Sequence, residues 1–102
     1  MTTIVVLFNL KADVDKSIYE AWAKQTDIPI AGSLSSVDIF EVLKAESLLM
    51  SDASSPYQYI ELLKVNDMEQ FGKDVSSQTM QQVAAQFQEF ADNPLFIITS
   101  NI

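Results

Sequence analysis

Tyr59 and Glu61 stand two positions apart in the stretch Tyr57-Gln58-Tyr59-Ile60-Glu61-Leu62-Leu63-Lys64-Val65. On an extended strand, residues at that spacing project to the same side, with backbones ~7 Å apart. A phenol and a carboxyl converging on a cavity can orient an N–H-bearing ring or serve as acid and base. They form the candidate catalytic pair. The blander alternative has the Tyr59 ring filling core with a satisfied hydroxyl and Glu61 paired with a lysine.

The same alternation places Tyr57, Tyr59, Glu61 and Leu63 on one face, and Gln58, Ile60, Leu62 and Lys64 on the other. Both faces carry residues that ask for burial, so this strand belongs in the middle of a sheet covered on both sides. Ile4 to Phe8 reads as another such strand, and Leu95 to Thr99 closes the chain as a third. Between the first two, Asp13 or Asp15 caps a helix running to about Gln25, with Val14, Ile18, Ala21 and Trp22 on one stripe. Asp27-Ile28-Pro29-Ile30-Ala31-Gly32 reads as the turn that follows. Ser36 to Lys44 is a strand with Val37, Ile39, Glu41 and Leu43 on one face, and Asp38, Phe40, Val42 and Lys44 on the other. Residues 45–56 form a long loop in which Ser47–Met50 can make one helical turn. Asp67 caps a short helix with Gln70 as capping-box partner, and Gly72 ends it. A second helix starts near Ser76 or Ser77. Its Met80, Val83, Ala84, Phe87, Phe90 and Ala91 hold the helical period and read as core packing, and Asp92-Asn93-Pro94 stops it.

Composition narrows the chemistry. The chain has 102 residues, enough for one domain, and 48% of them are hydrophobic. That fraction suggests an apolar surface beyond what one domain hides by itself. Six lysines face fourteen acids for a net charge of −8, and the sequence contains no arginine, histidine or cysteine. Nucleic-acid binding does not fit such a field. Zinc, haem and iron–sulfur sites lose their usual ligands, and nucleophilic triads built on His or Cys are excluded. No spaced acidic run of the calcium-binding kind is present, so neither metal nor cofactor is expected. The start Met1-Thr2-Thr3 has no basic segment or cleavage site, and no apolar run reaches a membrane span. A cytoplasmic, soluble protein is the expectation.

The element order is β-α-β-β-α-β, which as a four-stranded antiparallel sheet with its helices on one face is the ferredoxin-like α+β arrangement. Two helices cover only one face, and a second copy of the same sheet would cover the other, making a homodimer. The segments Ile4–Lys11, Ala21-Trp22 followed by Asp27-Ile28-Pro29, Tyr57–Lys64 and Leu95–Ile98 resemble the dimeric α/β barrel family, in which two such sheets pack face to face. More narrowly, the sequence is similar to the RedY-like HapK proteins found with red tripyrrole (prodigiosin-type) pigment pathways. That resemblance implies a part in joining a bipyrrole aldehyde to a monopyrrole, beside a condensing enzyme. It also implies a pocket faced by Ile4, Val6 and Phe8 with Tyr59 and Glu61. Tyr59 stands where cyclase-type members keep a histidine, and Ser77 where another would lie.

Further pocket candidates are Asn9, Tyr19, Trp22, Phe40, Tyr57 and Phe71, with Asp38 as an acid that a solvated strand edge would equally suit. With no arginine to clamp an anion, the pocket is expected to prefer a neutral or cationic small aromatic or pyrrole ligand. Three readings of function stand at this point: assistance in tripyrrole assembly, a non-catalytic carrier of small molecules, and a cofactor-free cyclase or monooxygenase-like enzyme on another aromatic substrate.

Overall fold

The β-branched and aromatic run from Ile4 to Phe8 forms the first strand, β1 (Thr2–Leu10), in the computed structural model, which describes residues 1–102. Ile4, Val6, Phe8 and Leu10 are buried, while Val5, Leu7 and Asn9 between them are half-buried. β1 pairs antiparallel with β3 (Tyr59–Val65) on one side and with β4 (Ala91–Ser100) on the other. β2 (Val37–Lys44) lies outside β3, so the sheet order is β2-β3-β1-β4. The helices, α1 (Lys16–Trp22), α2 (Ile28–Ala31), α3 (Met68–Val75) and α4 (Gln78–Phe90), interleave in the expected ferredoxin-like order. Tyr19, Ala23 and Phe87 pack against Ile4, Val6, Phe8, Tyr59 and Leu63, which makes the helix-covered face the core.

The first helix does not end where the sequence placed its turn. Asp15 caps it by accepting from Ser17 N at 2.9 Å, but helical backbone continues to Ala31. A π-helical segment, Ala23–Asp27, joins α1 to α2, and the Ile28 N–H reaches back five residues to the Ala23 carbonyl. The wider turn moves every later residue one step around the axis. Pro29 then sits in the first turn of α2, where its missing N–H is tolerated.

Two glycines behave oppositely. A Cβ on Gly32 would lie 2.5 Å from the Ile28 carbonyl oxygen, whereas one on Gly72 would meet nothing within 4 Å. Gly72 therefore does not end α3, which runs on to Val75. Gly32→Ala is expected to lower stability by about 1–3 kcal/mol. Gly72→Ala, in a helix interior, should raise it by about 0.5–1 kcal/mol. Thermal unfolding of the two variants checks the opposite signs.

Side-chain bonds move several strand ends. β3 begins at Tyr59 rather than Tyr57, because Gln58 N donates to Asn9 Oδ1 at 2.9 Å and Asn9 Nδ2 donates to the Pro56 carbonyl at 3.1 Å. β4 begins at Ala91 rather than Leu95, with Asn93 at φ 47° and the register with β1 shifting between Leu7 and Asn9. A second irregularity between Val37 and Ile39 puts Val37 opposite Val65 on the buried face, not with Ile39, Glu41 and Leu43 as the alternation suggested. Ser47–Met50 makes no helical turn; the chain reverses there with Met50 at φ 60°. The sheet face away from the helices carries Val5, Leu7, Ile60 and Leu62 at its centre, with exposed Ile39, Leu43, Leu95 and Ile97 around them. No helix is long and apolar enough to cross a membrane.

Candidate functional site

Strand alternation sends Glu61 under the helices, between Val6 of β1 and Val42 of β2. The π-helical segment turns Asp27 towards it, and both residues are only 6% exposed. Their carboxyls are hydrogen-bonded to each other. Burial raises both above the ordinary carboxylate range, and the Asp27 charge raises Glu61 further. Glu61 is therefore the member that keeps its proton, which it donates to Asp27. Glu61 Oε2 and the Tyr19 hydroxyl are buried with no other partner, and the two side chains lie within hydrogen-bonding reach of each other. Burial, then the Glu61 charge, keeps the Tyr19 phenol protonated far into the alkaline range.

These carboxyls mark one end of a cavity of about 380 Å³ between the sheet and the helices. Ile4, Val6, Leu63, Phe96 and Ile98 line it from the sheet, and Phe40 settles which face of β2 contributes. Met68, Phe71 and Val75 of α3 and Met80, Val83 and Phe87 of α4 close the other side. Asp27, Glu61 and Gln88 are its polar lining residues, and no lysine reaches it. An apolar space with a few placed polar groups is the usual form of a small-molecule site.

Tyr59 and Glu61 share a strand face but line different hollows and have different partners. Tyr59 is buried against Phe8, ring centroids 5.7 Å apart, and its hydroxyl donates to Glu20 Oε2 at 2.6 Å. Burial and then the Glu20 contact raise its phenol. It lines a smaller hollow of about 180 Å³ with Tyr19, Glu20 and Lys44. Lys44 pairs there with Glu20 at 3.4 Å, and Glu61 has no lysine partner.

The remaining candidates divide. Phe40 and Phe71 line the large cavity. Phe8 and Tyr19 lie in the aromatic core beside it, and Trp22 packs on Phe90 while donating its indole N–H to Gln86 at 2.7 Å. Asn9 is occupied in holding residues 56–58. Tyr57 borders a separate, mostly polar hollow with Lys16 and Ser55. Asp38 is exposed at the β2 irregularity and accepts from Asn66 Nδ2 at 2.8 Å, because the extra residue there turns it off the pocket face. Ser77 caps α4 through Met80 N.

Asp27 escaped the sequence reading, which took its segment for a turn; an acid among Ile28, Ile30 and Ala31 was the available signal. The stripe of Met80, Val83, Ala84 and Phe87 lines the cavity besides packing the core.

α3 roofs this cavity without burying any of its own residues. Its firmest tie is Asp74, which accepts from Ser36 Oγ at 2.7 Å and from Gln70 Nε2 at 2.8 Å. The Ser36 bond holds the Asp74 carboxyl below its usual range. Asp74→Ala is expected to speed amide hydrogen exchange in α3 while leaving β1 and β3 protected, which exchange measured by mass spectrometry would resolve.

A family model described as REDY-like protein HapK matches residues 2–102. Among solved structures, HapK from Hahella chejuensis aligns with TM-score 0.79 at 25% identity, covering 100% of this chain and 93% of that one. The protein At3g17210 from Arabidopsis thaliana aligns with TM-score 0.82 at 17% identity, covering 100% and 96%. A hydroxynitrile lyase from Passiflora edulis aligns with TM-score 0.78 at 7% identity, covering 96% and 90%. At such identities the last two show the shared fold alone. No functionally curated protein matches the sequence.

Proposed function

The chain belongs to the REDY-like HapK family, and on that premise we propose that it assists tripyrrole (prodigiosin-type) pigment assembly by binding a pyrrole intermediate in the cavity beneath its helices. The observation that carries this reading is Glu61: a buried carboxyl, held well above its usual range by burial and by Asp27, bordering an otherwise apolar cavity. A pyrrole is flat and apolar with one N–H donor. Its ring suits the Met and Phe walls, and its N–H suits a carboxyl acceptor at one end of them.

Condensing a pyrrole with an aldehyde needs a proton on the carbonyl or on the leaving hydroxyl. Glu61 supplies that proton, and Asp27, bonded to it, orients the carboxyl. One such acid contributes about 10²–10⁴-fold. Tyr59 has no part in this step, since its hydroxyl is engaged by Glu20 on the far side of the aromatic core. Binding comes first in this role, and the condensing enzyme supplies the remaining activation. The open, apolar sheet face receives a second copy, giving a homodimer of face-to-face sheets.

The test combines purified protein with the bipyrrole aldehyde, the monopyrrole and the energy-dependent condensing enzyme, and follows pigment colour. Addition of the protein should speed colour formation, and Glu61→Gln should lose most of that gain while still folding. Unchanged rates with either protein, together with no binding of either precursor, would remove the pathway role.

A further inference from the structure

We propose that the Asp27–Glu61 pair holds a basic aromatic nitrogen as its conjugate acid, passing the pair's shared proton to the ring. The inference rests on the cavity being the ligand site and adds the charge state in which the ligand is held. Asp27 and Glu61 are each 6% exposed, their carboxyls are bonded to each other, and no cation lines the cavity they border. The one ion pair of the chain, Lys44–Glu20, belongs to the other hollow. The groups facing Glu61 are Asp27 from the π-helical segment and Tyr19 from α1, while its strand neighbours Val6 and Val42 are apolar. α3 and α4 add only apolar side chains and the neutral Gln88 to the cavity. Nothing in the protein can balance a second negative charge there, so only a ligand could.

A purely N–H-donating ring leaves the shared proton in place. An imine-type ring nitrogen can take it. The Glu61 O–H bond breaks with its electron pair staying on oxygen, and an N–H bond forms on the ring. The product is a cation beside two carboxylates. Net charge in the site is unchanged at one negative, so no proton enters or leaves the solvent. Attraction between the cation and two carboxylates is strong in so buried a site.

The probe is a dipyrrin indicator, two pyrrole rings joined through a basic imine, whose colour reports its protonation. A dipyrromethane of the same size has N–H donors but no basic nitrogen and serves as control. Bound to the native protein, the indicator should show an apparent pKa raised by one unit or more, at least tenfold more conjugate acid at a given pH. Asp27→Asn and Glu61→Gln should each reduce that shift, and the native shift decides the matter if a variant does not fold. A bound indicator with an unshifted or lowered pKa overturns the inference. So does failure of the indicator to bind while the dipyrromethane binds, which would leave the proposed function standing. Binding of neither probe would sink both.

Discussion

Raising the pH across neutrality is expected to destabilise this protein, and Glu61→Gln is expected to abolish the loss. The folded protein holds the Glu61 proton more tightly than the unfolded chain does, because burial and then Asp27 oppose its charged form. A group whose pKa is raised on folding contributes its stability below the unfolded value, and the contribution disappears as pH rises through the folded value. From about pH 5 upward, where an unfolded glutamate has lost its proton, each pH unit should remove up to about 1.4 kcal/mol. Asp27, also raised by burial, adds to the slope at its lower end. The amide that Glu61→Gln introduces never ionises, and it can donate to Asp27 as the carboxyl did. Urea midpoints measured across the range should therefore slope downward for the native protein and lie nearly flat for Glu61→Gln. A flat native profile would mean that the pair is solvated and ionised, and the acid role would fall with it.

A single carboxylate at the centre of the open sheet face should split the proposed dimer. Leu62 lies between Val5 of β1 and Glu41 of β2 on that face. In a face-to-face dimer, Leu62→Glu would bury an uncompensated charge in each subunit. Such a charge costs about 3–5 kcal/mol, which is two or more decades in dimer affinity. Sedimentation should give a mass near twice 11.4 kDa for the native chain and a single-chain mass for the variant. Lys64→Glu, on the same face but already exposed, should leave the dimer intact. A monomeric native chain would remove the barrel while leaving the ferredoxin-like sheet, which is seen directly.

The sheet was legible because β1 and β3 write their two faces in a period of two, and Glu61 stood out as the acid on a face that had to be dry. Phe40 and Phe71 were candidates on their type alone, since the alternation left open which face of β2 lines the pocket. What escaped was set by departures from regular period. The π-helical turn at Ala23–Asp27 leaves no composition signal, yet it alone brings Asp27 to Glu61. The irregularity after Val37 moves Asp38 out of the pocket face in the same way. Tyr59 shares its strand face with Glu61, but Phe8 and Tyr19 fill the space beside it, and a spacing rule cannot see which neighbours stand between two side chains.

The four methionines offer the most direct test of where a pyrrole binds. Met68 and Met80 line the cavity from α3 and α4, whereas Met1 is 66% exposed and Met50 96% exposed, both outside it. With ¹³C-labelled methionine methyls, titration of the bipyrrole aldehyde should move the Met68 and Met80 signals through ring-current shifts and leave those of Met1 and Met50 in place. The same titration of Glu61→Gln should need a higher ligand concentration to reach the same shifts. Movement of Met1 or Met50 with Met68 and Met80 unchanged would place the ligand elsewhere and contradict the site proposed between sheet and helices.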